Sequence, residues 1–166
     1  MTRSLTPSRK TVRLALATLA ATTGMAATTG VAGAAVTAHH QDDINFTSHV
    51  YVAPQADGTS RVTMIGDTCT LTPDDGAQQV CRITSTGTLN PDGSGVAKAT
   101  VATAGRVISF DEVFVPNWPG AGIGSGSVVE HGAGGPLAGT FTAWFSYTPT
   151  DVPNVLLDWG QIRVTH

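Results

Sequence analysis

The sequence is poor in the residues from which most chemical sites are built. Only two of its 166 residues are cysteine, and only 13% are charged. No group of Cys and His residues has the spacing of a metal site, so the sequence predicts neither a bound metal nor a cofactor. The closest approach to a GxSxG nucleophile motif is the fragment Gly124–Gly126 in a glycine-rich stretch, which does not support a hydrolytic triad.

Long uninterrupted apolar runs are also absent. Basic residues at the start of the chain precede a moderately apolar run, Leu14–Ala27, which threonines and a glycine interrupt. This run falls short of the roughly 20 strongly apolar residues that a spanning helix needs. The pattern predicts a signal peptide over residues 1–34, with an alternative cleavage position as late as residue 38. It therefore predicts a secreted, extracellular protein. The Ala/Thr/Gly-rich leader is typical of a bacterial source.

Basic residues are scarce once this leader is removed. Five Lys and Arg then face twelve Asp and Glu, a formal charge near −7. Such a charge argues against nucleic acid or an anionic membrane surface as a partner. About 130 residues remain, the size of one ordinary domain. We expect a flexible terminus over 35–43 and a single domain over 44–166, of undetermined oligomeric state.

Helical periodicity is missing from the mature part, and strand signals replace it. The hairpin Gly120–Tyr147 is the best-patterned element, since its second strand alternates apolar with polar residues. Separate strands are predicted at Arg61–Gly66 and Thr68–Thr72, and Pro116–Gly124 is predicted as a loop. Eight or nine short strands at roughly 12-residue spacing indicate an all-β barrel or sandwich. We predict an all-β fold, a single antiparallel β-barrel of about eight strands.

The two cysteines, Cys69 and Cys81, enclose a Pro-Asp-Asp-Gly turn signal. In an oxidising compartment a disulfide is the default for such a pair. We therefore predict one disulfide that joins neighbouring strands across a hairpin. A redox or metal-binding pair is the weaker alternative.

One carboxyl group is a candidate for chemistry. Asp111 and Glu112 lie in the most apolar strand, and adjacent strand residues point to opposite faces. If the face of Glu112 lines the interior, burial would raise its pKa and make it a candidate general acid or base. In the alternative interpretation Asp111 points inward and Glu112 is solvated, or one of them pairs with Arg106 or Arg163.

Aromatic residues supply the candidate ligand contacts. Inside a barrel these would be the aromatic residues of the two best-patterned strands, namely Phe110, Phe114, Phe141, Phe145 and Tyr147. The tryptophans Trp118, Trp144 and Trp159 either pack against the fold or stand exposed, where they could stack on sugar rings.

Several segments are similar to one protein superfamily. Gly126–Val129, Gly132–Gly135 and Leu137–Phe141 resemble the late hairpin of the allene oxide cyclase/dirigent barrels. Thr86–Leu89 and Asp92–Gly95 resemble the middle hairpins of the same superfamily. The resemblance implies a barrel of that kind, or a lipocalin-like one, that binds hydrophobic small molecules inside; some members guide cyclisation or coupling.

The sequence thus favours a secreted barrel that binds an apolar or amphipathic small molecule in its interior. A cyclase- or isomerase-like enzyme that uses the same cavity is the first alternative. A carbohydrate-binding or interaction protein that uses surface aromatic residues is the second. The expectation leans against an enzyme.

Overall fold

The computed structural model describes residues 40–166, and every regular element in this range is a β-strand. No helix in this range is long and apolar enough to cross a membrane. The predicted signal peptide lies outside the described residues. The strands are β1 (Gln41–Pro54), β2 (Ser60–Pro73), β3 (Gln79–Val80), β4 (Arg82–Leu89), β5 (Gly95–Ala102), β6 (Val107–Trp118), β7 (Ala121–Gly132), β8 (Gly135–Pro149) and β9 (Val155–Thr165).

Eight of these strands close into an antiparallel barrel, which confirms the predicted fold class. Their order is β1-β9-β8-β7-β6-β5-β4-β2, and pairing of β1 with β2 completes the circle. The ninth, β3, adds two residues beside β2. Closure gives each of the eight barrel strands a neighbour on both sides, although β2 pairs with β4 only over Ser60–Ile65.

The two ends of the barrel differ in how they are filled. The start of β1 and the end of β9 pair at one end, where Gln41 opposes Thr165; we call this the closed end. Beside it lies a packed apolar core whose fully buried members are Ile44, Leu71, Ile83, Val101, Ile108, Val128 and Val164. The opposite end, which we call the cavity end, carries the turns that follow β1, β4, β6 and β8.

The predicted flexible terminus is too long by three residues. Strand β1 begins at Gln41, so residues 41–43 belong to the barrel. Asp42 is completely buried, in phase with the inward-facing Ile44 and Phe46. The sequence did not predict that Asp42 is a buried strand residue, because aspartate is rarely buried unless it is paired.

Two further predictions about strand boundaries are wrong. The two strands expected at 61–66 and 68–72 form the single strand β2, and a bulge at Asp67 reverses which alternate residues face inward. Strands β6 and β7 also run through most of the loop expected at 116–124. Glycines in this segment suggested a loop, but Gly122 and Gly124 are strand residues over which neighbouring side chains lie.

The predicted disulfide is present. Cys69 on β2 is bonded to Cys81, which directly follows β3, with the two Cα atoms 4.9 Å apart. The amide of Cys81 also donates a hydrogen bond to the carbonyl of Cys69 at 2.9 Å. The bond therefore joins neighbouring strands, as the enclosed turn signal indicated.

Removing this disulfide should weaken the fold. We expect the double substitution Cys69→Ser, Cys81→Ser to lower the free energy of unfolding by about 2–4 kcal/mol, because the unfolded chain gains the freedom of the opened loop. Urea denaturation followed by far-UV circular dichroism measures the change. An unchanged midpoint relative to the oxidised parent would contradict a stabilising role for the bond.

Candidate ligand cavity

The barrel interior is open at the cavity end. A cavity of about 180 Å³ lies there between all the barrel strands and above the packed core. Its wall is almost entirely apolar, with Val50, Val52, Val62, Met64, Leu89, Phe114, Phe145 and Leu156 among the lining side chains. Apolar concave sites with few polar groups are the usual form of a small-molecule pocket.

Glycines on the inner face make room for large side chains around the cavity. A Cβ atom on Gly122 would lie 2.6 Å from the ring of Phe145, and one on Gly160 would lie 2.7 Å from the ring of Phe46. Both distances are too short for a carbon–carbon contact. The aromatic rings therefore lie across glycine backbone, which places them in the wall without blocking the cavity.

Glu112 of β6 is one of two carboxyl groups in this wall. Its neighbour Asp111 points outward and pairs with the exposed Lys98, which lies opposite it on β5. Glu112 shares the inward face with Ile108 and Phe110, and its carboxyl group lies over Gly124, where a Cβ atom would overlap it. Neither Arg106 nor Arg163 pairs with it; their partners are other carboxylates.

Asp158 of β9 is the second carboxyl group, and the sequence analysis did not identify it. It is only 5% exposed and lines the same cavity. The hydroxyl of Ser48 donates a hydrogen bond to Asp158 Oδ2 at 3.3 Å, whereas Asp158 Oδ1 is buried without a hydrogen-bond partner. Its alternation with Gly160, Ile162 and the other inward residues of β9 was the available signal.

The cavity changes the acidity of both groups. Burial, together with the smaller effect of the nearby charge of Asp158, raises the pKa of Glu112 from 4.5 to about 7. Burial also raises the pKa of Asp158 to about 7, against the opposing effects of the hydrogen bond from Ser48 and of the neighbouring backbone amide of Trp159. Near neutral pH each group can therefore hold or release a proton, the property required of a general acid or base.

The predicted aromatic contacts divide into two sets. Phe114, Phe145 and Tyr147 line the cavity. Phe110 and Phe141 do not, which corrects their expected role; they pack edge to face in the core below it, with ring centres 5.0 Å apart. Both residues lie on the inward faces of their strands, but alternation assigns a face and not a depth along the barrel.

A second polar cluster lies at the closed end. The Arg106 guanidinium contacts both Asp42, which is fully buried, and Glu130 at 2.5 Å. Burial opposes the charged form of Arg106, but hydrogen bonds to these carboxylates raise its pKa. His166 lies 3.3 Å from Glu130. The oxygen and nitrogen atoms of Asp42, Glu130 and His166 approach one another closely enough for a metal, but Arg106 already contacts both carboxylates. We interpret this cluster as an ion-pair network.

The three tryptophans lie on the outside of the barrel. Trp118 is 71% exposed, and Trp144 and Trp159 are each 50% exposed. Trp144 and Trp159 meet edge to face at an angle of 87°. This pair therefore does not present two coplanar rings of the kind that stack along a sugar chain.

The fold and the cavity together define a class. The described chain is a small antiparallel β-barrel with a packed closed end and an apolar, carboxyl-bearing cavity at the other. No protein-family profile, curated protein or solved structure matches the chain.

Proposed function

We propose that this protein is a secreted barrel that binds an apolar or amphipathic small molecule in its cavity. The observation that carries the proposal is the difference between the two ends of the barrel. Buried apolar side chains pack together beside the closed end, whereas the cavity end leaves about 180 Å³ unfilled. Apolar cavities of about 150 Å³ are known to accept a benzene ring.

Secretion and a hydrophobic ligand are supported by further features of the chain. The signal-peptide pattern and the disulfide suit a protein that functions outside the cell. An allene oxide cyclase/dirigent-like relationship would also place a hydrophobic ligand inside the barrel. N-terminal sequencing of the secreted protein tests the export step, with a first residue expected between Ala35 and His39.

Binding can be tested with 2-phenylethanol, a neutral molecule with one ring. We expect it to shift the NMR signals of cavity residues such as Ala97 and Ala143. Ala97→Leu should weaken this binding at least tenfold, because the larger side chain occupies the cavity. Thr100→Leu is the matched control, since Thr100 lies on the same strand and faces outward.

The control must bind as the parent does, and both variants must retain the far-UV signal of the barrel. Equal binding by all three proteins would show that 2-phenylethanol binds elsewhere. Absence of binding to the parent at millimolar concentration would count against a small-molecule site at this end of the barrel.

A cyclase- or isomerase-like enzyme is the alternative, and the carboxyl pair favours it. Glu112 and Asp158 can share the work of proton donor and acceptor, since both have a pKa of about 7. Native mass spectrometry of the secreted protein can identify a retained ligand. If the protein converts that ligand into an isomer, as detected by chromatography, and Glu112→Gln abolishes the conversion, catalysis would be established. An unaltered ligand would leave the barrel a binding protein.

A further inference from the structure

The two carboxyl groups of the cavity have no positive partner. No Lys, Arg or His is among the residues that line it, and Tyr147 is the only other titratable side chain there. In the described range, Arg106, Arg163 and Lys98 contact acids that lie outside this cavity. The charge that would balance Glu112 and Asp158 is therefore missing from the protein wall.

One atom in particular lacks a partner. Asp158 is more than nine-tenths buried, and its Oδ1 accepts no hydrogen bond. Leaving a buried polar group unsatisfied is destabilising, and more so when the group is charged. Such an atom beside an unfilled cavity is an acceptor available to a ligand that donates a hydrogen bond.

The neighbouring side chains suit a cation as well as an apolar group. The rings of Phe46, Phe114 and Phe145 all line the cavity with the two acids. The faces of aromatic rings attract an ammonium group, and more strongly where water is excluded. A bound cation would also supply the charge that makes ionised, buried carboxylates favourable.

We propose that the ligand of this cavity is a small apolar ammonium compound, about one ring in size, whose charged nitrogen is held by Glu112 and Asp158. The proposal rests on the proposed binding function and specifies its ligand class. The nitrogen would donate a hydrogen bond to the free Asp158 Oδ1, and its apolar part would occupy the space between the aromatic and aliphatic walls. The excess of acidic over basic residues in the described part of the chain would draw such a cation toward the protein.

Three probes with the same ring distinguish a cationic ligand from a neutral and an anionic one. They are 2-phenylethylammonium, the neutral 2-phenylethanol and the anionic phenylacetate. At pH 8 we expect the dissociation constant of the ammonium probe, measured by calorimetry, to be at least tenfold lower than that of the alcohol. Phenylacetate should bind more weakly than either, because its charge repels the two carboxylates.

The pH dependence gives a test that needs no variant. An alkylammonium stays charged far above neutrality, with a pKa near the 10.4 of lysine. The two acids are protonated well below pH 7 and lose their charge there. Binding of the ammonium probe should therefore weaken by about tenfold or more from pH 8 to pH 5.5. Binding of the alcohol should not weaken over this range.

Variants assign the effect to the cavity. Glu112→Gln and Asp158→Asn should each reduce the preference for the ammonium probe at least tenfold while preserving binding of the alcohol. Asp111→Asn is the control, because it removes the same charge one residue away on the outer face. If a variant fails to fold, the pH series on the parent still decides the matter.

The outcomes separate the ligand class from the proposed function. Equal binding of ammonium and alcohol at pH 8, or a preference that persists at pH 5.5, would overturn the ammonium proposal and leave a neutral-ligand barrel. Loss of the preference in Asp111→Asn would place the cation outside the cavity and overturn it too. If no probe binds, the proposed function fails and this inference fails with it.

Discussion

Arg106→Met is expected to lower the free energy of unfolding by about 3–5 kcal/mol, the usual cost of breaking a buried ion pair by removing one partner. Arg106 is the cation that contacts both Asp42 and Glu130, and Asp42 is fully buried. Without it the two carboxylates would remain in the closed end with little access to water. Urea denaturation at pH 7 measures the loss.

Arg163→Met is the matched control. Arg163 pairs with Asp43, the residue next to Asp42, but the Arg163 side chain is 55% exposed. Exposed pairs are worth about 0–1 kcal/mol, so this variant should be nearly as stable as the parent. Adding Asp42→Asn and Glu130→Gln to Arg106→Met should recover part of the loss. Equal losses in the two arginine variants would contradict a special role for the buried network.

Glu112→Gln is expected to stabilise the protein at neutral pH. The pKa of this group rises from 4.5 to about 7 on folding, so the unfolded chain gives up its proton first as the pH increases. Ionisation therefore penalises the folded state progressively between about pH 4 and 7, by about 3 kcal/mol at the upper limit. Glutamine carries no charge and avoids this penalty.

The pH profile of stability distinguishes this effect from packing. Glu112→Gln and the parent should unfold at the same urea concentration at pH 4, and the variant should be more stable by about 2–3 kcal/mol at pH 8. Asp111→Asn, on the outer face, should show no such divergence. A constant difference at all pH values would show that glutamine acts through packing, and that Glu112 titrates normally.

Residues with clear alternation were placed correctly from the sequence. In β8 the inward set Phe141, Ala143, Phe145 and Tyr147 follows the pattern directly. The disulfide followed from two cysteines and the turn between them. These features are local, and a period of two is sufficient to assign a face.

Features that depend on partners across the barrel were missed. Asp42 is buried because Arg106, 64 residues away, contacts it. Asp158 lies between Leu157 and Trp159, so apolar residues on both faces of β9 obscured its inward direction. The cavity itself depends on how glycines of one strand oppose aromatic rings of another, as with Gly160 and Phe46. None of these relations is contained in a short window of sequence.

The closure of β1 on β2 has a consequence for self-association. Unpaired strand edges are templates for polymerisation by strand addition, the route to domain-swapped and amyloid-like assemblies. In the described part of the chain, the short β3 is the strand that pairs on one side alone, and it spans two residues. The disulfide at Cys81 fixes even this segment against β2. Reduction followed by mild heating is therefore the condition under which fibre growth, followed by thioflavin T fluorescence, should first be sought.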